Sequence, residues 1–220
     1  EEERAEISYA LGNDLGYGIV MSEMPIQLVW IAQAMQDVRD GNPKMAEDEV
    51  NQYMQNYMMV VRPAENLAAS NAWLEQMAKK SGAQKTESGI VYKVTKKGDD
   101  TVKAKDSRDV VKVHYTGRTR TGRVFDSTIF ENLPEEIQAQ RKQYMPDTYD
   151  KNEPLEFPLN RVIPGWTEGL QLVGKGGKIT LWIPAELAYG ARGNRGIGPN
   201  EALEFDVEVI DVTPYVEPAP

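Results

Sequence analysis

The spacing of apolar residues changes once along this chain, and that change constrains its fold more than any other feature. As far as Ser81-Gly82 the apolar residues recur every three or four positions; from Gly89 onward they recur every two. A period of about 3.6 lines side chains along one stripe of a helix, whereas a period of two puts them on one face of a strand. Both periods in separate blocks predict a helical segment followed by a sheet domain. The length of 220 residues exceeds the roughly 100–150 of a common single domain. The blocks are residues 1–82, a helical segment with a connecting helix, and residues 83–214, the sheet domain, with a flexible tail over 215–220.

In the first block Ile7, Leu11, Leu15 and Ile19 recur every four residues, and Leu28, Ile31, Met35 and Val38 follow helical spacing. Pro25 near the start and Gly41 past the end bound the second helix. A third pattern begins near Met45, with Glu47, Asp48 and Glu49 in its first turn, where the helix dipole favours acids. Its stripe is Val50, Tyr53, Met54, Tyr57 and Val61. A further stretch runs from Leu67 to Lys80. Pro63 lies between the last two, so they form either one long kinked helix or two helices meeting there. These helices are too few to enclose their own core, and isolated helices of this length are marginal in water. A symmetric partner remedies that, and Gly12, Gly16 and Gly18 permit close helix approach. A homodimer through residues 1–60 is expected.

In the second block four alternating sets stand out: Ile90, Tyr92 and Val94; Val111, Val113 and Tyr115; Ile179, Leu181 and Ile183; Leu203, Phe205, Val207 and Val209. Such alternation marks antiparallel strands with one buried face. One short helix interrupts them, opened by Pro164, closed by Gly174, with Trp166, Leu170 and Val173 on its apolar side. The class is α+β, a twisted antiparallel sheet wrapped on one short helix.

Composition excludes several functions. No cysteine is present, which removes disulfides, thiolate catalysis and cysteine metal sites. The net charge of −9 argues against nucleic acid as a partner. The charge is uneven: residues 1–82 hold 13 acids and 6 bases, net −7, and residues 83–220 hold 21 acids and 19 bases, net −2. No apolar run approaches the roughly 18 residues that span a bilayer. The first residue is Glu1 rather than methionine, so the chain reads as a processed or trimmed form; a removed signal peptide leaves such an acidic start, and so does a chain cut at an arbitrary boundary.

Five motifs in the second block occur in a fixed order: His114-Tyr115-Thr116-Gly117, Val124-Phe125-Asp126-Ser127, Val162-Ile163-Pro164-Gly165-Trp166, Ala188-Tyr189-Gly190 and Leu203-Glu204-Phe205-Asp206-Val207. Singly each has a duller reading: core aromatics, an aspartate turn, a packed tryptophan. Together they make residues 85–214 resemble the FKBP-type peptidyl-prolyl cis-trans isomerases. The resemblance implies catalysis of rotation about X-Pro bonds of folding polypeptides, with no cofactor and no metal. It implies a pocket formed by Tyr115, Phe125, Asp126, Ile163, Trp166, Tyr189 and Phe205, with Leu155, Val162 and Ile197 completing the substrate wall. Trp166 is the implied floor, and the Ile163 N–H and Tyr189 hydroxyl are the implied donors to bound peptide. Macrolide inhibitors become candidate ligands, with affinity altered by Asn194 and Gly198, where the family often has histidine and isoleucine. Such a site suits the prolyl ring, which is compact and apolar.

His114 alternates with Tyr115 and so faces away from the pocket. Arg118, Arg120 and Arg123 read as a solvated hairpin tip, and the run from Gly190 to Gly198 as a flexible hairpin over the pocket mouth. Against the family pattern, about twenty extra residues separate Asp126 from Leu155, an insertion at about 128–154 holding a helix over 132–145. It is either decoration or an extra contact surface for substrate proteins. The first block, through Ile7-Ser8-Tyr9-Ala10-Leu11-Gly12, Asp40-Gly41 and Pro43-Lys44, is similar to the segment preceding the isomerase domain in bacterial macrophage infectivity potentiator-like proteins. That similarity implies a homodimer in the periplasm or outer-membrane-associated cell envelope, and a chaperone role besides catalysis.

Overall fold

A computed structural model describes residues 2–217. The chain divides into two compact units, Glu1–Ala64 and Glu65–Pro220. In the first, α1 (Glu2–Ser22) and α2 (Leu28–Arg39) precede α3 (Glu47–Asn56). A π-helical turn, Tyr57–Val61, then leads without interruption into α4 (Arg62–Ala78). This resolves the choice at Pro63 in favour of one continuous helix. Proline has no N–H to donate and its ring crowds the carbonyl four residues earlier. The wider turn sits just ahead of it, and the Arg62 N–H reaches back five residues to the Tyr57 carbonyl, the spacing of a π-bulge. No residue of α1, α2 or α3 is buried.

The second unit is a seven-stranded sheet: β1 (Gln84–Lys85), β2 (Val91–Lys96), β3 (Val110–Thr119), β4 (Val124–Ser127), β5 (Leu155–Pro158), β6 (Lys178–Ile183) and β7 (Leu203–Thr213). The order is β1-β2-β6-β7-β3-β4, with β5 also on β3, and every pairing is antiparallel. The four alternating sets of the sequence fall on β2, β3, β6 and β7. Their inward members Val111, Val113, Ile179, Leu181, Leu203 and Val209 are fully buried. The register of β7 on β3 slips between Lys112 and Val113, a bulge of the kind that sharpens twist and helps the sheet curl round its helix. That helix, α6 (Pro164–Gly169), is shorter than its predicted span to Gly174, because Leu170 already caps it. In the insertion, α5 spans Glu135–Tyr144 with Pro134 as its N-cap.

One corner of the outer face of the sheet is covered as well. Leu74 of α4 packs with Val91, Trp182 and Ala202 in a second apolar cluster. The Ser70 hydroxyl donates to the Asn200 carbonyl at 2.8 Å and accepts the Ala202 N–H at 2.9 Å. The break between units therefore falls inside the long helix at Ala64, ahead of the boundary at 82/83 that the change of period predicts. Helical periodicity continues past the point where the helix begins to serve the sheet domain.

Of the tail predicted over 215–220, residues 218–220 lie outside the described residues, and the described part is tied down. The Tyr215 N–H donates to Asp109 at 2.8 Å, and the Arg108 guanidinium lies 4.2 Å from the Tyr215 ring centroid. Asp109 is buried, and it also accepts the N–H groups of Lys105 and Asp106 at 2.8 and 3.0 Å. Burial alone would raise its pKa, but these three backbone donors outweigh burial and hold the carboxyl below its usual range. A lowered folded pKa contributes stability that is present above the ordinary carboxylate value and lost as pH falls through the folded value. Asp109→Ala is expected to lower unfolding free energy by about 1–3 kcal/mol by stranding buried donors. On acidification below ~4 the wild type should lose more stability than the variant. Urea melts at pH 7 and pH 3 check both; equal stability at pH 7 would refute the role.

Candidate active site

The topology leaves one gap on the edge of β3, and the candidate site grows from it. One edge of β3 carries two partners end to end: β5 along Val110–Val113 and β4 along Thr116–Arg118. Tyr115 lies between them. Its neighbours across the two pairings are Leu155, opposite Val113, and Asp126, opposite Gly117. By strand parity Tyr115 shares the inner face with Val111 and Val113.

The floor comes from α6. A Cβ on Gly165 would lie 2.4 Å from Ile183 Cγ2, and one on Gly169 2.7 Å from Leu181 Cδ1. Both separations are too short for real atoms, so only glycine at this i,i+4 pair lets the helix backbone rest on β6. Trp166 stands beside them, buried, with Phe205 at 5.1 Å and 80°, Tyr115 at 4.9 Å and 84°, and Phe157 at 5.4 Å and 38° between rings. Phe125 meets Phe205 edge-on at 5.7 Å and 90°. Edge-to-face contacts of this kind add about 0.5–1.5 kcal/mol each beyond area burial, so the ring cluster is a stiff wall.

These rings enclose a cavity of about 480 Å³. Tyr115, Phe125, Asp126, Leu155 and Val162 line it, with Ile163, Trp166, Tyr189 and Phe205. Nine of the ten residues singled out from the sequence thus come together from five elements and two loops. The exception is Ile197, which is buried in the same core cluster but does not reach the lining. Its N–H and C=O bridge to Asn194, at 2.9 and 3.0 Å, and that bridge turns the side chain into the core. Arg161 lines the cavity too. The sequence gives no signal for it beyond its place directly before Val162-Ile163.

Asp126 is fixed from two sides. Its Oδ2 accepts a short hydrogen bond from the Tyr115 hydroxyl, and its Oδ1 accepts the Ser127 N–H at 2.9 Å. Burial first, then the hydrogen bond to Asp126, pushes the Tyr115 phenol well up, so it remains a neutral donor. Three other donors at the cavity lack acceptors among the described residues: the Ile163 N–H, the Tyr189 hydroxyl and the buried Trp166 indole N–H. An apolar, walled cavity with free donors at its lining binds a compact ring and its neighbouring carbonyls.

Two neighbouring features differ from expectation. Arg118, Arg120 and Arg123 are not a solvated tip. Arg118 pairs with Asp206 at 2.7 Å and Glu204 at 3.4 Å, Arg120 pairs with the buried Glu201 at 3.3 Å, and Arg123 donates to the Gly196 carbonyl. The sheet register sets Glu204 opposite Arg118, which spacing alone does not reveal. Because Arg123 is bonded to Gly196, the glycine-rich hairpin is tethered to the β3–β4 turn.

Comparisons with known proteins agree with this geometry. Residues 101–210 match the profile of the FKBP-type peptidyl-prolyl cis-trans isomerase, and residues 4–94 match that of the domain amino terminal to it. A probable FKBP-type peptidyl-prolyl cis-trans isomerase FkpA of Neisseria meningitidis serogroup B is 35% identical over 94% of this chain and 74% of its own length. The chain belongs to the FKBP-type peptidyl-prolyl cis-trans isomerase family. It catalyses rotation about X-Pro bonds in proline-containing polypeptides. The FkpA of Escherichia coli K12 is 36% identical over 94% of this chain and 75% of its own. The crystal structure of Escherichia coli FkpA superposes with a TM-score of 0.58 at 34% identity, covering 95% of this chain and 96% of that one.

For an FKBP-type enzyme no proton need move. His114 sits on the other face of β3, its Nδ1 3.0 Å from the Thr128 hydroxyl, and is absent from the cavity lining. His114→Gln is expected to leave the isomerisation rate within about threefold, and the wild-type rate should be flat between pH ~5.5 and ~8, where a working histidine titrates. NMR exchange on an X-Pro peptide measures both; a large loss in a folded variant would place the histidine in the reaction.

Proposed function

We propose that the aromatic cavity is the isomerisation site. The observation that supports this reading is the convergence, on one largely apolar cavity, of nine residues that the family resemblance singles out. Rotation about the prolyl bond has an uncatalysed barrier of roughly 18–20 kcal/mol, set by amide resonance. A dry cavity disfavours the charge-separated resonance form and so loosens the bond. Walls that fit the twisted amide better than either planar isomer lower the barrier further. Trp166 is the floor under the prolyl ring, with Phe205, Val162 and Leu155 as apolar wall. The Ile163 N–H and Tyr189 hydroxyl hold the substrate backbone. Phe125 and the Asp126–Tyr115 pair face the twisting carbonyl. Phe125→Ala and Asp126→Val should each slow isomerisation at least about tenfold, roughly 1.4 kcal/mol of transition-state stabilisation, with unchanged circular dichroism. Full activity in both would sink the assignment.

The first unit supports a further reading: a homodimer through residues 1–60 that also acts as a chaperone in the bacterial cell envelope. Tyr9, Leu11, Trp30 and Val38 are more than half exposed, an arrangement that forgoes about 1.5–3 kcal/mol per large side chain. Around Gly12 and Gly16 of α1 runs a groove of about 550 Å³, and a Cβ at either glycine would meet nothing within 4 Å. A symmetric helix laid there buries both stripes at once. Two linked pockets would raise the effective concentration of sites on one client chain. No described helix is long and apolar enough to cross a membrane. Light scattering of the full chain should give a dimer at micromolar concentration. A fragment 65–220, which keeps the Leu74–Trp182 contact, should be monomeric and active on short peptides, and weaker at suppressing aggregation of an unfolded protein. A monomeric full chain would refute the dimer.

A further inference from the structure

The connection between β4 and β5, residues 128–154, leaves the sheet at the gap beside Tyr115 and is firmly anchored. Phe130 and Leu133 are buried. The Phe130 N–H donates to Asn152 Oδ1 at 2.7 Å, which draws the two ends of the connection together. Asn132 Nδ2 donates to the Thr116 hydroxyl on β3 at 2.9 Å. The Phe130 and Tyr149 rings meet at 5.2 Å and 66°. Side chains held in this way form a built surface, not a trailing loop.

Between this surface and Tyr115 lies a second cavity of about 560 Å³, which shares Tyr115, Asp126 and Leu155 with the first. The last turn of α5 offers it a cation. Lys142 is engaged elsewhere, 5.8 and 5.7 Å from the Phe130 and Tyr149 ring centroids. Arg141 instead lines the second cavity, half-buried, without an ion-pair partner among the described residues. Of the acids beside it, Asp126 is taken by the Tyr115 hydroxyl and the Ser127 N–H, and Glu153 is exposed with the exposed Lys151 on the same rim. In the adjoining first cavity Arg161 likewise has no ion-pair partner among the described residues. In a chain of net charge −9, two unpaired arginines lining two joined cavities are a local reversal of sign. Charge complementarity of that kind selects among partners, and a guanidinium fork matches a carboxylate in particular.

We propose that the cavity beneath α5 extends the substrate site and receives the side chain of an acidic residue next to the X-Pro bond, with Arg141 as the residue that sets this preference. The proposal rests on the reading of the first cavity as the isomerisation site. An extended peptide advances about 3.3–3.6 Å per residue, so a residue one to three positions from the proline reaches a cavity that shares three lining residues with the first. The enzyme should therefore favour acidic over neutral or basic neighbours of the X-Pro bond.

The test uses the full chain and peptides that differ only in Glu, Gln or Lys at positions flanking an X-Pro pair, with kcat/KM read by NMR exchange. The wild type should prefer the best Glu peptide over its Gln counterpart by about fivefold, as a charge-assisted, half-buried contact allows, and should disfavour Lys. Arg141→Gln should bring the Glu/Gln ratio to about one, and Arg141→Glu should invert it. Taking the ratio within each variant cancels any general loss of activity. The wild-type preference should shrink as salt rises from ~20 to ~500 mM. A wild-type ratio near one, or a ratio unchanged in Arg141→Gln, overturns the proposal. So does a preference for apolar neighbours that Met145→Ser removes, since the cavity would then take an apolar side chain. Full activity of Phe125→Ala and Asp126→Val removes the underlying reading instead, and those variants are measured on the Gln peptide, independently of Arg141.

Discussion

The contact on which the catalytic domain depends is the seat of α6 against β6. Gly165 and Gly169 have no room for a methyl group against Ile183 and Leu181, and this close approach puts Trp166 where three other rings meet it. A methyl group at either position would lift the helix by more than the tolerance of a packed core. The floor of the cavity would rise with it, and the edge-to-face contacts with Tyr115 and Phe205 would be lost together. On the proposed reading of the cavity as the isomerisation site, catalysis of an amide rotation asks for shape and dryness, which displacement of the floor would remove.

Around that seat the sheet is arranged to leave one opening. Because β4 and β5 share a single edge of β3 without meeting, Tyr115 is reached from both cavities, and its hydrogen bond to Asp126 lies where they join. The connection between the two strands can lengthen without disturbing any ladder, because it begins and ends at the sheet edge. This chain uses that freedom for a helix and an aromatic anchor. Long surface connections add little entropy cost and often carry function, and here the connection adjoins the aromatic cavity.

The helical unit obeys a different balance. Its stripes are regular but no residue of α1, α2 or α3 is fully buried, and helices this short owe most of their stability to packing of an apolar face. Its last helix continues through Pro63 by widening one turn; within the second unit, Leu74 packs on the outer face of the sheet.

The sequence by itself determined the two periods, the four long strands, the short helix after Pro164 and the set of aromatic residues at the cavity. The periods, the strands and the short helix are local or periodic properties, visible wherever a side chain's burial repeats with the geometry of its own element; the aromatic set came through the resemblance of five ordered motifs to a known family. Only the tertiary structure decided the rest. Ile197 turned out to be core, because its bridge to Asn194 orients it. Arg118 found an acid through strand register and Arg120 found Glu201 just beyond it, and Arg161 and Arg141 came to line cavities without such partners. Leu74 left the pattern of a connecting arm to cover Trp182. In every case the deciding neighbour is far away in the chain, and pairing across such separations is fixed by packing and register, which no local spacing encodes.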